Sequence, residues 1–486
     1  MSVTTEVVSS RAAKPTPGAP IDLAATLARL RSAHRRAGCP DEGQRLRWLS
    51  KLERVLLANK TRIADVLCED YGNRSRHETL VAEVFITLGA IRYAKENLRQ
   101  WMGAERREVA MTFFPARAEV VHQPLGVVGI ISPWNYPIQL ALAPLVGALA
   151  AGNRVMIKPS EIVPRTADLL AELIAEAFTP DEVVVVTGGP DVGEAFSKLA
   201  FDHLVFTGST RLGRLVMRAA AENLVPCTLE LGGKSPAVIA PDFPIDQAAA
   251  RILSGKCFNA GQTCIAPDYV MVQRGQENAF VAAAKAAVAK MYPTLAENPD
   301  YTAVVNQHHY ARVAGYLDDA RAKGATIVEL NPASETLDPA KHKLAPTLVL
   351  GATDDMKVMQ DEIFGPVMPV LTYGELGEAL DYVNDRPRPL ALYCFSHDDR
   401  IVERVLRETT SGGVSINETM LHVAQDDLPF GGVGPSGMGA YHAHEGFLAM
   451  SHQKPVFHQA RVNTTGLLRP PYGKVIDTML KVLLGG

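Results

Sequence analysis

From Val127 onward the chain alternates short apolar runs with amphipathic stretches, and this rhythm constrains the fold more than any other feature. Residues 127–131, 154–158, 183–186, 203–206 and 227–231 are runs of four or five residues. Such runs suit strands buried on both faces of a parallel sheet. Between them, residues 166–178 carry Leu169, Leu170, Leu173 and Ile174 at helical spacing, and residues 211–221 read as another helix. Parallel neighbours need long crossovers, so the predicted fold class is α/β, with a doubly wound parallel sheet. After Gly232-Gly233 the alternation resumes, with strand signals at 269–272, 366–371, 390–395 and 413–416. That is enough for a second α/β domain in a chain of 486 residues.

The flanks differ. Residues 22–101 read as helices, with Leu23, Leu27 and Leu30, then Trp48, Leu52, Val55 and Leu56, at helical spacing. Residues 107–123 read as a pair of strands: Val109, Met111 and Phe113 alternate with polar or small residues, and Val120 and Val121 follow Pro115. Residues 1–20 read as a loose leader without the apolar core of a signal peptide. The tail, 463–486, ends in an amphipathic stretch over 475–484, expected to dock on the protein's own surface. No apolar run is long enough for a membrane span. A net charge of −4 implies no pull toward nucleic acid or anionic membrane. Six cysteines in so long a chain point to a reducing, cytoplasmic setting rather than a disulfide framework.

The chemistry gathers at strand ends. Cys264 sits in Phe258-Asn259-Ala260-Gly261-Gln262-Thr263-Cys264, a thiol among small and polar residues. Glu230 lies in Glu230-Leu231-Gly232-Gly233-Lys234. A thiol and a carboxylate beside glycines can make a thioester and then hydrolyse it, splitting one hard step into two. Asn135 follows the first sheet strand, where its amide can donate to an oxyanion with the Cys264 backbone N–H as second donor. Phe206-Thr207-Gly208-Ser209-Thr210 ends a strand and opens a helix, so Gly208 and Ser209 can meet a phosphate. Lys158 and Glu161, at another strand's carboxyl end, can hold an adenosine ribose, and the carboxylate favours NAD over NADP. Oxidation of an aldehyde to an acid is the candidate reaction. Gly432-Val433-Gly434-Pro435-Ser436-Gly437 matches a dinucleotide fingerprint only formally, since no strand precedes it, and it reads as a tight loop. His442, His444 and His452 lack a metal-ligand spacing, and no metal is expected. Cys68, Cys227, Cys257 and Cys394 read as packing residues.

Together these segments resemble the aldehyde dehydrogenase superfamily from about residue 21 to 460. The resemblance rests on Pro133–Pro137, Lys158–Glu161, Phe206–Thr210, Glu230–Pro236, the Cys264 run and Glu362-Ile363-Phe364-Gly365-Pro366-Val367. Residues 428–434 and 437–442 look like the class 3 branch, and the nearest likeness is to bacterial enzymes acting on coniferyl aldehyde. The resemblance implies two α/β domains, one for the cofactor (21–106 and 124–231) and one catalytic (232–428). It also implies a small bridging sheet (107–123 and 445–462) that joins a homodimer. Cys264 would be the nucleophile, Asn135 the oxyanion donor and Glu230 the base that activates water, with Glu362 as a second candidate base. Glu362 would hold the nicotinamide ribose, and Phe364 and Trp134 would lie near the cofactor. The cofactor would be NAD, with NADP possible for enzymes of this type. Tyr136, Thr263 and His422 are candidate substrate contacts, with Leu421 and Val423 at the channel mouth. The expected substrate is an aromatic or hydrophobic aldehyde such as coniferaldehyde, with medium- or long-chain aliphatic or terpenoid aldehydes as the alternative. The rivals in reaction or class are transfer of the acyl group to coenzyme A and a catalytically silent binding protein. Glu230 argues against the first, and intact Cys264, Asn135 and Glu230 against the second.

Overall fold

A computed structural model of the chain describes residues 22–463 and 465–485; the expected leader lies outside them. The chain opens with helices Leu23–Ala37, Glu42–Ala58, Lys60–Tyr71 and Ile86–Met102. Asp22 and Asp41 cap the first two by accepting from Ala25 N and Gln44 N, each satisfying an amide that the helix leaves free.

Strand β1 (Glu105–Arg107) pairs antiparallel with β2 (Arg117–Pro124). The stretch between departs from the expected strand pair. Met111–Phe113 forms a 3-10 turn instead. The alternation there has no core to face, because Met111 and Phe114 are exposed, and Pro115 has no N–H to give a ladder. Phe113 packs edge-on against Phe457.

Strands β3 (Val127–Ile131), β4 (Arg154–Lys158), β5 (Val183–Val185), β6 (His203–Thr207) and β7 (Cys227–Glu230) form a parallel sheet with spatial order β7-β6-β3-β4-β5. The crossover helix Gln139–Ala151 is buried at every residue. It is apolar all round because it lies in the middle of the molecule, against helices Ile86–Met102 and Ala443–Ala449. A second sheet holds β8 (Pro236–Ile239), β9 (Tyr269–Gln273), β10 (Thr326–Glu329), β11 (Thr347–Leu350), β12 (Val367–Tyr373), β13 (Ala391–Phe395) and β14 (Gly413–Ile416). Its order is β10-β11-β12-β9-β8-β13-β14, and β10 alone runs antiparallel to its neighbour. The sequence reading missed β8, β10 and β11, which have four residues each.

Two late strands return to earlier sheets. β15 (Gly437–Met438) pairs antiparallel with β7, placing Gly437 opposite Glu230. The fingerprint-like loop before it therefore braces a strand edge. Gly437 has φ +152, and a Cβ there would run into the Leu229 carbonyl. β16 (Ser451–His458) completes the small sheet against β2. The tail helix Lys474–Leu483 departs from its expected docking. Ile476 is its one buried residue, while Val475 and Val482 stand in solvent.

Candidate active site

The Cys264 loop is built by backbone shape. Helix Ile245–Cys257 ends, and Asn259, Ala260 and Gly261 follow at φ 50, 52 and 73. Non-glycine residues in that region carry strain that surrounding structure must hold. Here Gln262 holds it: its amide donates to Asn259 O (2.9 Å) and Ala303 O (3.0 Å), and its oxygen accepts from Val305 N (2.9 Å). Gly261 packs against the Gly365 carbonyl, leaving no space for a Cβ.

Cys264 is half-buried by exposed area. Burial and the Glu362 and Glu230 carboxylates all push its thiol pKa upward, while its own N–H and that of Ile265 favour the thiolate. Asn135 is buried in the loop after β3, and its Nδ2 donates to Gln262 O at 3.1 Å. An amide has two N–H groups, so one remains for a ligand two residues from Cys264.

Glu230 ends β7 and is 2% exposed, with neither carboxylate oxygen partnered among the described residues. Burial raises its pKa well above the ordinary carboxylate value. Glu362 is pushed up to about 8, mainly by burial and by Asp268, and its Oε1 has no partner among the described residues. A Cβ on Gly232 would overlap the Glu362 carboxylate, so this glycine makes the space the side chain fills. Phe364 follows at φ 49, and its ring meets Trp134 edge-on at 5.3 Å. Trp134 also packs on His309 at 4.8 Å.

The adenosine-side candidates sit at the carboxyl ends of β4 and β6. Lys158 is buried, and its Nζ donates to Glu161 Oε2 (2.9 Å) and Pro159 O (2.8 Å). Ser209 caps helix Thr210–Ala221 by accepting from Leu212 N at 3.4 Å. Gly208 N donates to Glu230 O at 3.0 Å, which ties this turn to β7. A Cβ on Gly208 would strike the Phe206 ring at 2.6 Å. Exposed helix-start amides, a lysine with a carboxylate, and a second carboxylate with an unpaired oxygen fit a dinucleotide.

The candidate substrate contacts differ in setting. Tyr136 OH and Thr263 Oγ1 share a 2.6 Å hydrogen bond and are both buried. His422 bonds Ser415 through Nδ1 at 2.8 Å and faces Tyr393 and Phe430. Burial lowers its pKa to about 4, so it is neutral. The Tyr393 hydroxyl donates to the Ile265 carbonyl, which puts His422 one side chain away from the thiol's loop. The sequence reading did not single out Tyr441. It is 1% exposed, its hydroxyl has no partner among the described residues, and the Glu230 and Cys264 charges both act on it. Nor did it find Arg312, which donates to Ile363 O (2.8 Å) and Phe364 O (3.3 Å). A lone arginine on a polar helix carries no signal by itself.

A thiol, two carboxylates with unpaired oxygens, a side-chain amide and a dinucleotide cradle define a thiol-dependent oxidoreductase centre. The chain belongs to the aldehyde dehydrogenase family, whose profile matches residues 16–456. It is an NAD(P)-dependent oxidoreductase that converts aldehydes to acids. A "Probable coniferyl aldehyde dehydrogenase" of Caulobacter vibrioides is 53% identical over 460 residues, covering 93% of this chain and 95% of that one. The "Coniferyl aldehyde dehydrogenase" of a Pseudomonas species is 48% identical over 473 residues, covering 96% and 98%. Among solved structures, the substrate-bound state of Staphylococcus aureus AldH superposes with a TM-score of 0.89 at 36% identity, covering 94% of this chain and 99% of that one. Among the described residues, no helix is long and apolar enough to cross a membrane.

Proposed function

We propose that this enzyme oxidises an aromatic aldehyde of the coniferaldehyde type through a thioester on Cys264. The observation that carries the chemistry is Glu230, a buried carboxylate with no partner among the described residues, whose charge acts on the half-buried Cys264 thiol. The Cys264 thiolate attacks the carbonyl carbon. The oxyanion is met by the free N–H of Asn135 Nδ2 and by the Cys264 backbone N–H, and one such donor is worth about 3 kcal/mol of barrier. A nicotinamide held by Glu362, Phe364 and Trp134 would supply the hydride acceptor that the oxidation to the thioester requires. Glu230 then takes a proton from water as the water attacks the thioester carbon. The acid departs and the thiol returns. A buried carboxylate with a raised pKa is suited to taking a proton near neutral pH. Glu362 is the alternative base.

Lys158, Glu161, Gly208 and Ser209 would hold the adenosine end, and Glu362, Phe364 and Trp134 the nicotinamide end. Tyr136, Thr263 and His422 would line the aldehyde's path. The cofactor domain would comprise 21–106 and 124–231, and the catalytic domain 232–428. The small sheet of β1, β2 and β16 would join two subunits, a reading supported by two exposed aromatic residues, Phe457 on β16 and Phe114 in the link between β1 and β2. Six free cysteines support a cytoplasmic setting. The substrate class rests on the names of the relatives.

The test is turnover across acetaldehyde, octanal, benzaldehyde and coniferaldehyde, with NAD and with NADP. We expect the highest kcat/KM for coniferaldehyde with NAD, and no requirement for coenzyme A. A preference for octanal would replace the substrate class and keep the chemistry.

A further inference from the structure

The segment joining helices Lys60–Tyr71 and Ile86–Met102 carries three buried ionisable side chains that the catalytic scheme leaves unused. Arg74 and Glu83 have 0% side-chain exposure, and Glu78 is buried beside them. Charges lie this deep only when paired or hydrogen-bonded. Arg74 NH2 lies 3.1 Å from Glu83 Oε1, and its NH1 donates to the backbone carbonyl of Asn135 at 2.7 Å. Glu83 Oε2 accepts from Ile138 N (3.0 Å) and Gln139 N (2.8 Å), amides at the start of helix Gln139–Ala151. Glu78 Oε2 accepts from Asn259 N (3.1 Å) and Thr302 Oγ1 (2.7 Å). Asn259 Nδ2 in turn donates to Asn135 O and to Gln262 O, each at 3.2 Å.

The backbone arranges these three side chains unusually. The turn Leu80–Phe85 is wider than an α-helix, closed by Ile86 N donating to Val81 O. Such wide turns recur at functional sites. The turn itself presents Glu83 to the Asn135 loop, and the residues just before it present Glu78 to the thiol's loop, while Arg74 bonds both Glu83 and Asn135 O. The two loops come from different sheets, and the charged segment grips both.

We propose that Arg74 is a positioning residue: it clamps the Asn135 peptide, so that with Glu83 and Glu78 it sets the Asn135 side-chain amide relative to the Cys264 loop. The proposal rests on Asn135 as oxyanion donor. An amide that must meet an oxyanion at hydrogen-bond distance tolerates little displacement, and a guanidinium that donates one N–H to its backbone carbonyl and another to Glu83 limits that displacement at the nearest point.

The test is a double-mutant cycle of Arg74→Lys and Asn135→Ala, read as the pre-steady-state burst of NADH on mixing the NAD-loaded enzyme with aldehyde. Lysine keeps the charge that Glu83 needs and loses the fork. In the wild-type background we expect the burst rate to fall about tenfold or more, with NAD affinity unchanged. On the Asn135→Ala background the same change should add less than about twofold. An equal factor on both backgrounds, or an unchanged burst with a lowered Tm, overturns the proposal. If Asn135→Ala alone leaves the burst unchanged, the oxyanion assignment fails first and takes the proposal with it. Should Arg74→Lys not fold, Glu83→Gln enters the same cycle with the same criteria, since it keeps an acceptor for the two helix amides and removes the charge that orients Arg74.

Discussion

Glu230→Gln separates catalysis from stability in a way the buried carboxylate makes specific. The side chain is enclosed, and neither oxygen has a partner among the described residues. Its pKa is raised by desolvation, so the folded protein binds this proton more tightly than the unfolded chain does. A carboxyl of this kind adds stability below its unfolded value, near 4.5. That contribution is lost as pH rises from there toward the raised folded value. The limiting slope is about 1.4 kcal/mol per pH unit. Glutamine has no charge to desolvate and removes the slope, although its buried amide lacks a partner as well. Thermal unfolding of both proteins at pH 5.5, 6.5 and 7.5 should show the variant gaining on the wild type with each step. Kinetically, general-base catalysis contributes about 10²–10⁴-fold. Steady-state turnover should fall by that order while the first NADH per active site still appears quickly. A variant that turns over at the wild-type rate refutes the assignment of the base. A stability difference that does not change with pH refutes the electrostatic reading.

Cys264→Ala should abolish turnover and leave NAD binding intact, as checked by fluorescence titration; retained turnover would refute the thioester route. Gly232→Ala should raise the KM for NAD about tenfold or more, because the added Cβ would overlap the Glu362 carboxylate; an unchanged KM removes Glu362 from the ribose. Glu161→Gln should improve kcat/KM with NADP relative to NAD, since it removes a charge that repels a 2′-phosphate; an unchanged ratio in cofactor kinetics would show that the carboxylate does not set the preference. Glu78 is pushed up to about 7 by burial, so its contribution to stability is present below the ordinary carboxylate value and lost as pH rises through 7. Glu78→Gln should flatten that part of the pH–Tm curve, and an unchanged curve would count against the shift.

What the sequence determined by itself was whatever is written in local order. Strands β3, β4, β6, β9, β12 and β13 carry apolar runs, because burial on both faces demands it. Cys264, Glu230, Asn135, Lys158 and Glu362 lie at strand ends or loops in recognisable segments. Their neighbours in sequence mark them without any knowledge of their neighbours in space. The failures have physical causes too. Met111 and Phe113 alternate as a strand would, yet in the fold no core lies beneath that stretch, and a 3-10 turn forms. The tail helix has an apolar face, but the folded chain leaves most of it in solvent.

Only tertiary structure decided which distant residues meet. It put the Gly432–Gly437 loop against β7, where Leu231 N donates to Ser436 O at 3.1 Å. It buried Glu230 with no partner among the described residues and so raised its pKa, a property that no carboxylate has in its own local sequence. It brought Arg74 to the carbonyl of Asn135, 61 residues away along the chain. Local preference reaches a few residues. Burial, desolvation and the meeting of two loops depend on the whole chain being folded.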